Sequence, residues 1–202
     1  MTGLVDIAWP LVNHGRIPLH HQYPLLSAIS RLVPEVHTAQ DMGVHAIRGL
    51  PTEAGYLTVA AFSTVRIRAP LTQLDHLLVL SGKRLEIAGY PIRLGVAQLH
   101  PLKPDASLRS ELVTIKGYLE ASDMEKGVRK QLDTQAVSTS VNVQIGRRRV
   151  LKVKQQVIVG FQVRLAGLSD EESLRIQHDG IGGRRHLGCG LFTTTQQAED
   201  QR

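Results

Sequence analysis

Cysteine, aromatic residues and long apolar runs are all scarce in this 202-residue sequence. Cys189 is the single cysteine, which excludes a disulfide framework and any cysteine-rich zinc site. Aromatics make up 4% of the chain, too few for base stacking to be the main way of holding a nucleic acid. No apolar run approaches the roughly 18 residues that a membrane-spanning helix needs. The opening residues, Met1 to Asp6, carry no basic stretch and set a carboxylate where a secretion signal is apolar. A cytoplasmic location is therefore expected. There is no His-Glu-x-x-His motif and no carboxylate cluster of the kind that holds two magnesium ions. What is left is ordinary for a folded domain, 42% hydrophobic and 21% charged, and this excludes a disordered tail, a collagen-like repeat or a coiled coil.

Charge is where the sequence departs from the average. Lysine and arginine number 24 against 18 acidic residues, a net charge of +6 with a pI near 9.8. Such a balance favours a polyanionic partner. The excess is concentrated: residues 121–160 hold Lys126, Arg129, Lys130, Arg147, Arg148, Arg149, Lys152 and Lys154 against Asp123, Glu125 and Asp133. With few aromatics, contact would rest on backbone charge and shape.

Hydrophobic periodicity divides the chain in two. Gly3 to Val12 reads as a strand, and Pro24 to Val33 carries Leu25, Leu26, Ile29, Leu32 and Val33 at helical spacing. Val44 to Leu50 and Tyr56 to Arg68 read as strands, Leu71 to Leu80 as a helix, and Arg84 to Leu99 as a strand bent at Gly89-Tyr90-Pro91. After Pro101 and Pro104 the order returns. Leu108 to Leu119 is a strand and Asp123 to Ala136 a helix with Ser122 as its expected N-cap. Val141 to Lys154 and Gln155 to Leu165 are strands, Ser169 to His178 is a helix, and Leu187 to Thr195 is a last strand. The expectation is an α+β protein of two tandem ferredoxin-like (βαββαβ), RRM-like halves. The first, 1–100, bears a candidate catalytic histidine. The second, 107–202, bears a basic helix, a basic hairpin and a glycine-rich loop.

That loop is residues 180–190, Gly-Ile-Gly-Gly-Arg-Arg-His-Leu-Gly-Cys-Gly. It is neither a Walker loop nor a Rossmann fingerprint, because it follows a helix and precedes a strand. A helix C-cap and a tight turn explain part of it. Gly182 and Gly183 with Arg184 and Arg185 also suit a close approach to phosphates. On helix 123–136, Lys126, Arg129 and Lys130 share a face, either a solvated surface or a phosphate contact. Arg147, Arg148 and Arg149 follow Gly146 as the tip of a hairpin would, and are expected to touch RNA.

The segment Gly-Ile-Gly-Gly-Arg-Arg-His-Leu-Gly-Cys-Gly-Leu-Phe closely resembles the C-terminal loop of the CRISPR repeat-processing endoribonucleases of the RAMP superfamily. Ile17-Pro18-Leu19-His20-His21-Gln22-Tyr23, with the Leu-Leu-Ser-Ala-Ile-Ser-Arg-Leu-Val-Pro-Glu-Val-His that follows Pro24, resembles their compact Myxan subtype. The resemblance implies cleavage of precursor CRISPR RNA at the base of a hairpin by the 2′-hydroxyl beside the scissile phosphate. It implies no metal or other cofactor, a 2′,3′-cyclic phosphate end, and partners that are the repeat RNA hairpin and other subunits of an effector complex.

The resemblance also implies a catalytic histidine at the start of the first helix. His21 is the best match, since His21-Gln22-Tyr23 keeps the related His-x-Tyr, although His20 stands where relatives have an acid. Tyr23 would orient the 2′-hydroxyl or assist proton transfer, and His20 is the alternative to His21. His14, His37, His45, His76 and His100 are assigned surface or structural roles. A subunit that binds guide RNA without cutting it, and a basic ferredoxin-like interaction or small-ligand module, are the competing readings.

Overall fold

A computed structural model describes residues 3–52 and 54–195; the end of the expected C-terminal half, 196–202, and Met1-Thr2 lie outside the described residues. The chain divides into two compact units, one ending at Pro101 and the other beginning at Leu102.

The first unit runs β1 (Leu4–Pro10), β2 (Arg16–Pro18), α1 (Gln22–Ser30), α2 (Glu35–Thr38), β3 (Gly43–Val44), β4 (Leu50–Pro51), β5 (Tyr56–Thr58), β6 (Thr64–Pro70), α3 (Leu74–Leu78), β7 (Arg84–Ile87), β8 (Tyr90–Arg93) and β9 (Gln98–Pro101). Its main sheet is antiparallel in the order β3-β6-β1-β9. The second runs β10 (Ser107–Val113), α4 (Ala121–Thr134), β11 (Asn142–Val153), β12 (Gln156–Ala166), α5 (Asp170–Asp179) and β13 (Thr193–Thr194). Its sheet has the matching order β11-β12-β10-β13. In each, the second and third main strands are neighbours, the first lies inside and the last at the edge. This is the ferredoxin-like arrangement, twice, and the fold is α+β as expected.

Several local readings are revised. The segment read as one bent strand, 84–99, is the β7–β8 hairpin, turned at Ala88-Gly89, followed by the separate β9. Helix α4 begins at Ala121 with Glu120 at its N-cap, so Ser122 lies inside the helix. The last strand shrinks to Thr193–Thr194, because residues 185–187 form a 3₁₀ turn. Helix α5 carries a complete capping box between Ser169 and Glu172. Pro24 is the third residue of α1, within the first turn, where a missing N–H costs no helical bond.

Alternation builds the cores. In β1, Val5, Ile7 and Trp9 are buried on one face, while the opposite face carries Asp6, also wholly buried. Its cross-strand partners are Arg68 on β6 and His100 on β9. Arg68 Nε donates to Asp6 Oδ1 at 2.8 Å and Nη2 to Oδ2 at 3.0 Å, a two-pronged pair. Arg66 Nη1 lies 3.8 Å from Oδ2 and His45 Nε2 3.5 Å from Oδ1. Burial alone would raise the Asp6 carboxyl, but Arg68 and His45 outweigh it and hold it well below the usual carboxylate range.

Removing one member of a buried pair leaves the other charge uncompensated, a far larger loss than the pair's own net worth. Asp6→Ala is therefore expected to cost about 3–5 kcal/mol, read as a lower urea midpoint with an unchanged slope. An unchanged midpoint would mean that Arg68 finds water or another acceptor without cost.

Candidate RNA-processing site

Helix α1 follows directly from the turn after β2, and its apolar residues Leu25, Leu26, Ala28 and Ile29 pack inward. Tyr23, Ser27, Ser30 and Arg31 stand at i, i+4, i+7 and i+8, on a common stripe of the helix. Pro34 interrupts the chain and starts the short α2, whose Val36 is buried while His37 is exposed. This turn brings His37 back to the stripe. Tyr23, Leu26, Ser27, Ser30, Arg31 and His37 line one pocket of about 270 Å³. Ser30 Oγ is buried there without a hydrogen-bond partner, an unmet polar group of the kind that functional sites retain.

The pocket therefore contains a hydroxyl-bearing ring, an imidazole, a guanidinium and two serine hydroxyls. Those are groups for proton transfer and for stabilising negative charge. Among the described residues, no three His, Cys, Asp or Glu side chains assemble as a metal-ligand set.

His21, the preferred catalytic residue at the sequence level, is placed otherwise. It is 1% exposed, and both ring nitrogens are engaged. Nδ1–H donates to the Pro18 carbonyl at 3.0 Å, and Nε2 accepts from the Ile47 N–H at 2.9 Å. These partners require the neutral Nδ1–H tautomer, and burial pushes the pKa down to about 4. Both nitrogens of a ring held in this way are taken, and His21 does not line the pocket. His20 is half-exposed on the turn before α1 and does not line the pocket. Tyr23 does.

His37 is the residue that sequence reasoning set aside. Its signal was present. In the otherwise apolar stretch 23–33, polar residues recur on one helical stripe, and Pro34 then forces the turn that returns His37 to it.

The expected RNA-contacting residues divide into exposed and committed ones. Arg147, Arg148 and Arg149 are exposed, but they sit within β11, paired opposite β12, beside a bulge between Ile145 and Arg148. The hairpin tip is Lys154-Gln155, so the reading of the arginines as a tip is corrected. Apolar Val150, Leu151 and Val153 continue the strand past them. On α4, Lys130 is exposed and Lys126 pairs with Asp123 at 3.1 Å. Arg129 is instead anchored to the Val141 carbonyl.

Much of the glycine-rich loop is explained by packing. Gly182 and Gly190 have positive φ, and a Cβ on either would collide with the carbonyl oxygen of Thr114 or Ile181 respectively. Gly190 N–H donates to Leu112 and Gly183 N–H to Thr114, which lays the loop along the end of β10. Gln131 of α4 accepts from the Gly182 N–H at 2.6 Å. Gly183 and Arg184 form the exposed tip, with open space around Gly183, while Arg185 is half-buried.

Comparison with known proteins adds to this geometry. A family model described as Cas6 Crispr matches residues 5–197. A CRISPR-associated endonuclease Cas6 of Myxococcus xanthus (strain DK1622) is 40% identical over 188 residues, covering 93% of this chain and 80% of the relative. A Cas6-related protein from Pyrococcus furiosus superposes with a TM-score of 0.61 at 14% identity, covering 95% of this chain and 97% of that one. The CRISPR endoribonuclease Cse3, bound to a 19-nucleotide RNA, superposes with a TM-score of 0.51 at 17% identity over 95% and 98% of the two chains. These solved structures share the fold.

The placement of His21 makes a stability prediction. His21→Ala leaves the Ile47 N–H and the Pro18 carbonyl without their partner and is expected to cost about 2–4 kcal/mol. In the unchanged protein the folded pKa of about 4 lies below the ordinary 6.5. The unfolded chain therefore takes up the proton first on acidification. The contribution is fully present above pH 6.5 and is lost as the pH falls towards 4, roughly 3 kcal/mol in all. Melting from pH 7.5 to 4, with His21→Ala giving a shallower decline, checks it. Parallel curves for the two proteins would remove His21 from the acid response.

Proposed function

Because the chain belongs to the Cas6 family, whose model matches it over residues 5–197, we propose that it is an endoribonuclease cutting CRISPR repeat RNA at the base of a hairpin. The observation that carries this reading is the convergence of Tyr23 and His37 on one pocket beside Arg31 and the unpartnered Ser30 Oγ.

In the proposed reaction the 2′-oxygen attacks the adjacent phosphorus, the bond from phosphorus to the 5′-oxygen breaks, and a 2′,3′-cyclic phosphate remains. One proton leaves the 2′-hydroxyl and one reaches the 5′-oxygen. The Tyr23 hydroxyl orients the attacking 2′-hydroxyl, and the His37 imidazole moves the proton, as histidine does in general acid–base catalysis. Arg31 and the Ser30 hydroxyl face the charge that develops on the phosphoryl oxygens. In this scheme every proton and charge is handled by a side chain, so no metal ion is required.

Affinity comes from elsewhere in the chain. Arg147, Arg148, Arg149, Lys126, Lys130 and the Gly183-Arg184 tip offer exposed cations and backbone to phosphates. This supports the reading that RNA is the partner.

The test is single-turnover cleavage of a labelled repeat RNA, with and without EDTA. His37→Ala is expected to slow cleavage by about 100-fold or more while RNA affinity stays within a few fold. Tyr23→Phe should also slow it, and His20→Ala should not. Cleavage is expected to be insensitive to EDTA and to leave a cyclic phosphate. Full activity in His37→Ala, with loss in His20→Ala, would move the chemistry to the turn before α1. Tight binding by the unchanged protein without any cut would make it an RNA-holding subunit. A triple change of Arg147, Arg148 and Arg149 to Ala is expected to weaken binding and flatten its salt dependence by about one to three unit slopes.

A further inference from the structure

The chain has eight aromatic residues, one Trp, four Tyr and three Phe, and their placement is uneven. Trp9, Phe161 and Phe192 are buried, Phe62 is half-buried, Tyr118 packs on the core of the second unit, and Tyr23 lines the pocket. Tyr56 and Tyr90 instead meet at the surface, both half-exposed. Their rings lie edge to face with centroids 5.5 Å apart, and the Tyr90 hydroxyl donates to that of Tyr56 at 3.1 Å. The exposed Arg16 guanidinium lies 4.7 Å from the centre of the Tyr56 ring and 5.8 Å from that of Tyr90.

The hairpin that carries Tyr90 is basic on its outer face. Arg84 and Arg93 face each other across the β7–β8 hairpin, and both are exposed. Neither is paired with a carboxylate among the described residues. Like charges directly opposite are destabilising, so the free hairpin bears a cost that an anion would relieve. Asn13 ties the loop before Arg16 to the same hairpin: its Oδ1 accepts from the Arg93 N–H at 2.6 Å and its Nδ2 donates to the Pro91 carbonyl at 3.1 Å. Lys83 and His14, close by in the chain, are also exposed, and Glu86 is the one acid on the hairpin itself.

We propose that Arg16, Tyr56 and Tyr90, with Arg84 and Arg93, form a second RNA contact that holds a single-stranded segment next to the cleaved stem. The proposal rests on the reading of the chain as an RNA-cutting enzyme. The chemistry selects single strands, since an unpaired base can stack on a tyrosine or arginine plane, whereas a duplex keeps its bases inside. Arg84 and Arg93 lie on the hairpin face opposite Tyr90, so their phosphate contacts would come where the strand passes round the hairpin edge. The patch is near the pocket: Arg16 precedes Tyr23 by seven residues, so the two are at most about 25 Å apart, and α1 packs against β7.

Binding of two RNAs, the repeat hairpin alone and the hairpin with its single-stranded flank, tests this in the full-length protein. The double change Arg16→Ala with Tyr90→Ala is expected to weaken binding of the flanked RNA by about tenfold and to leave the hairpin alone within twofold. Arg84→Ala with Arg93→Ala is expected to lower the salt slope for the flanked RNA by about one to two. Equal affinities of variant and unchanged protein for the flanked RNA would overturn the proposal. So would an equal loss for both RNAs with a lowered melting temperature, which is the mark of a structural cluster. Normal RNA binding by the variants with lost binding of poly-glutamate would reassign the patch to an acidic protein. If the unchanged protein bound neither RNA, the proposed function itself would fall. If it bound and cut while the variants did the same, only this second contact would fall.

Discussion

Everything proposed for the pocket depends on one buried imidazole. His21 bridges the Pro18 carbonyl and the Ile47 N–H, and so closes a loop of twenty-six residues that contains α1, α2 and every residue lining the pocket. The bond to Pro18 fixes the turn from which α1 departs. The bond to Ile47 fixes where the chain returns after β3. With both ends held, the Pro34 turn has little freedom, and His37 faces the stripe that begins at Tyr23. A histidine beside a catalytic segment can thus matter to the chemistry without touching the substrate, provided that it stays neutral. Burial ensures that here.

The other buried polar cluster of the first unit acts in the same sense on a different element. Asp6 holds β1 to β6 through Arg68, with Arg66 and His45 close by. His45 is neutralised by burial, its pKa pushed down to about 4 in spite of the nearby Asp6 carboxylate. The strand β1 that this cluster anchors leads through the Asn13 loop to β2 and α1. Strand β1, the loop and strand that carry Arg16, and the helix that carries Tyr23 are one continuous stretch of chain, pinned at Asp6, Asn13 and His21.

Much of this architecture was legible in the order and period of apolar residues. The alternation in β1, β6, β10 and β12 and the helical spacing of Leu25, Leu26 and Ile29 are local signals, and the repeated strand-helix-strand-strand-helix-strand order followed from them. Two kinds of information were not local. Which histidine is buried depends on the N–H of a residue twenty-six positions away, and no window around His21 contains that. Where a hairpin turns depends on register. The bulge between Ile145 and Arg148 lets three arginines run on within a strand, whereas a reader of sequence sees glycine and charge and expects a turn. The glycine-rich loop lay between these cases. Its identity as a loop was plain, but the collision partners of Gly182 and Gly190 are carbonyls of Thr114 and Ile181, the first of them far off in sequence.

Charge in this protein falls into two classes with opposite energetics. Inward-facing cations are matched: buried Arg68 to Asp6, and half-buried Arg129 to the Val141 carbonyl. Several exposed ones are set against each other. Arg147, Arg148 and Arg149 are consecutive, Arg84 faces Arg93, and the half-buried Arg109 faces the exposed Arg164; only part of this is offset, as where Glu111 lies 2.8 Å from Arg109 and 3.8 Å from Arg149. Each unrelieved pair makes the free protein slightly less stable than a neutral surface would. A polyphosphate removes that repulsion on binding and releases its own counterions. The surface therefore gains most from a partner whose charges repeat along a line, and the rare aromatic side chains left outside the cores are free to add selectivity for unpaired bases where the charge alone has none.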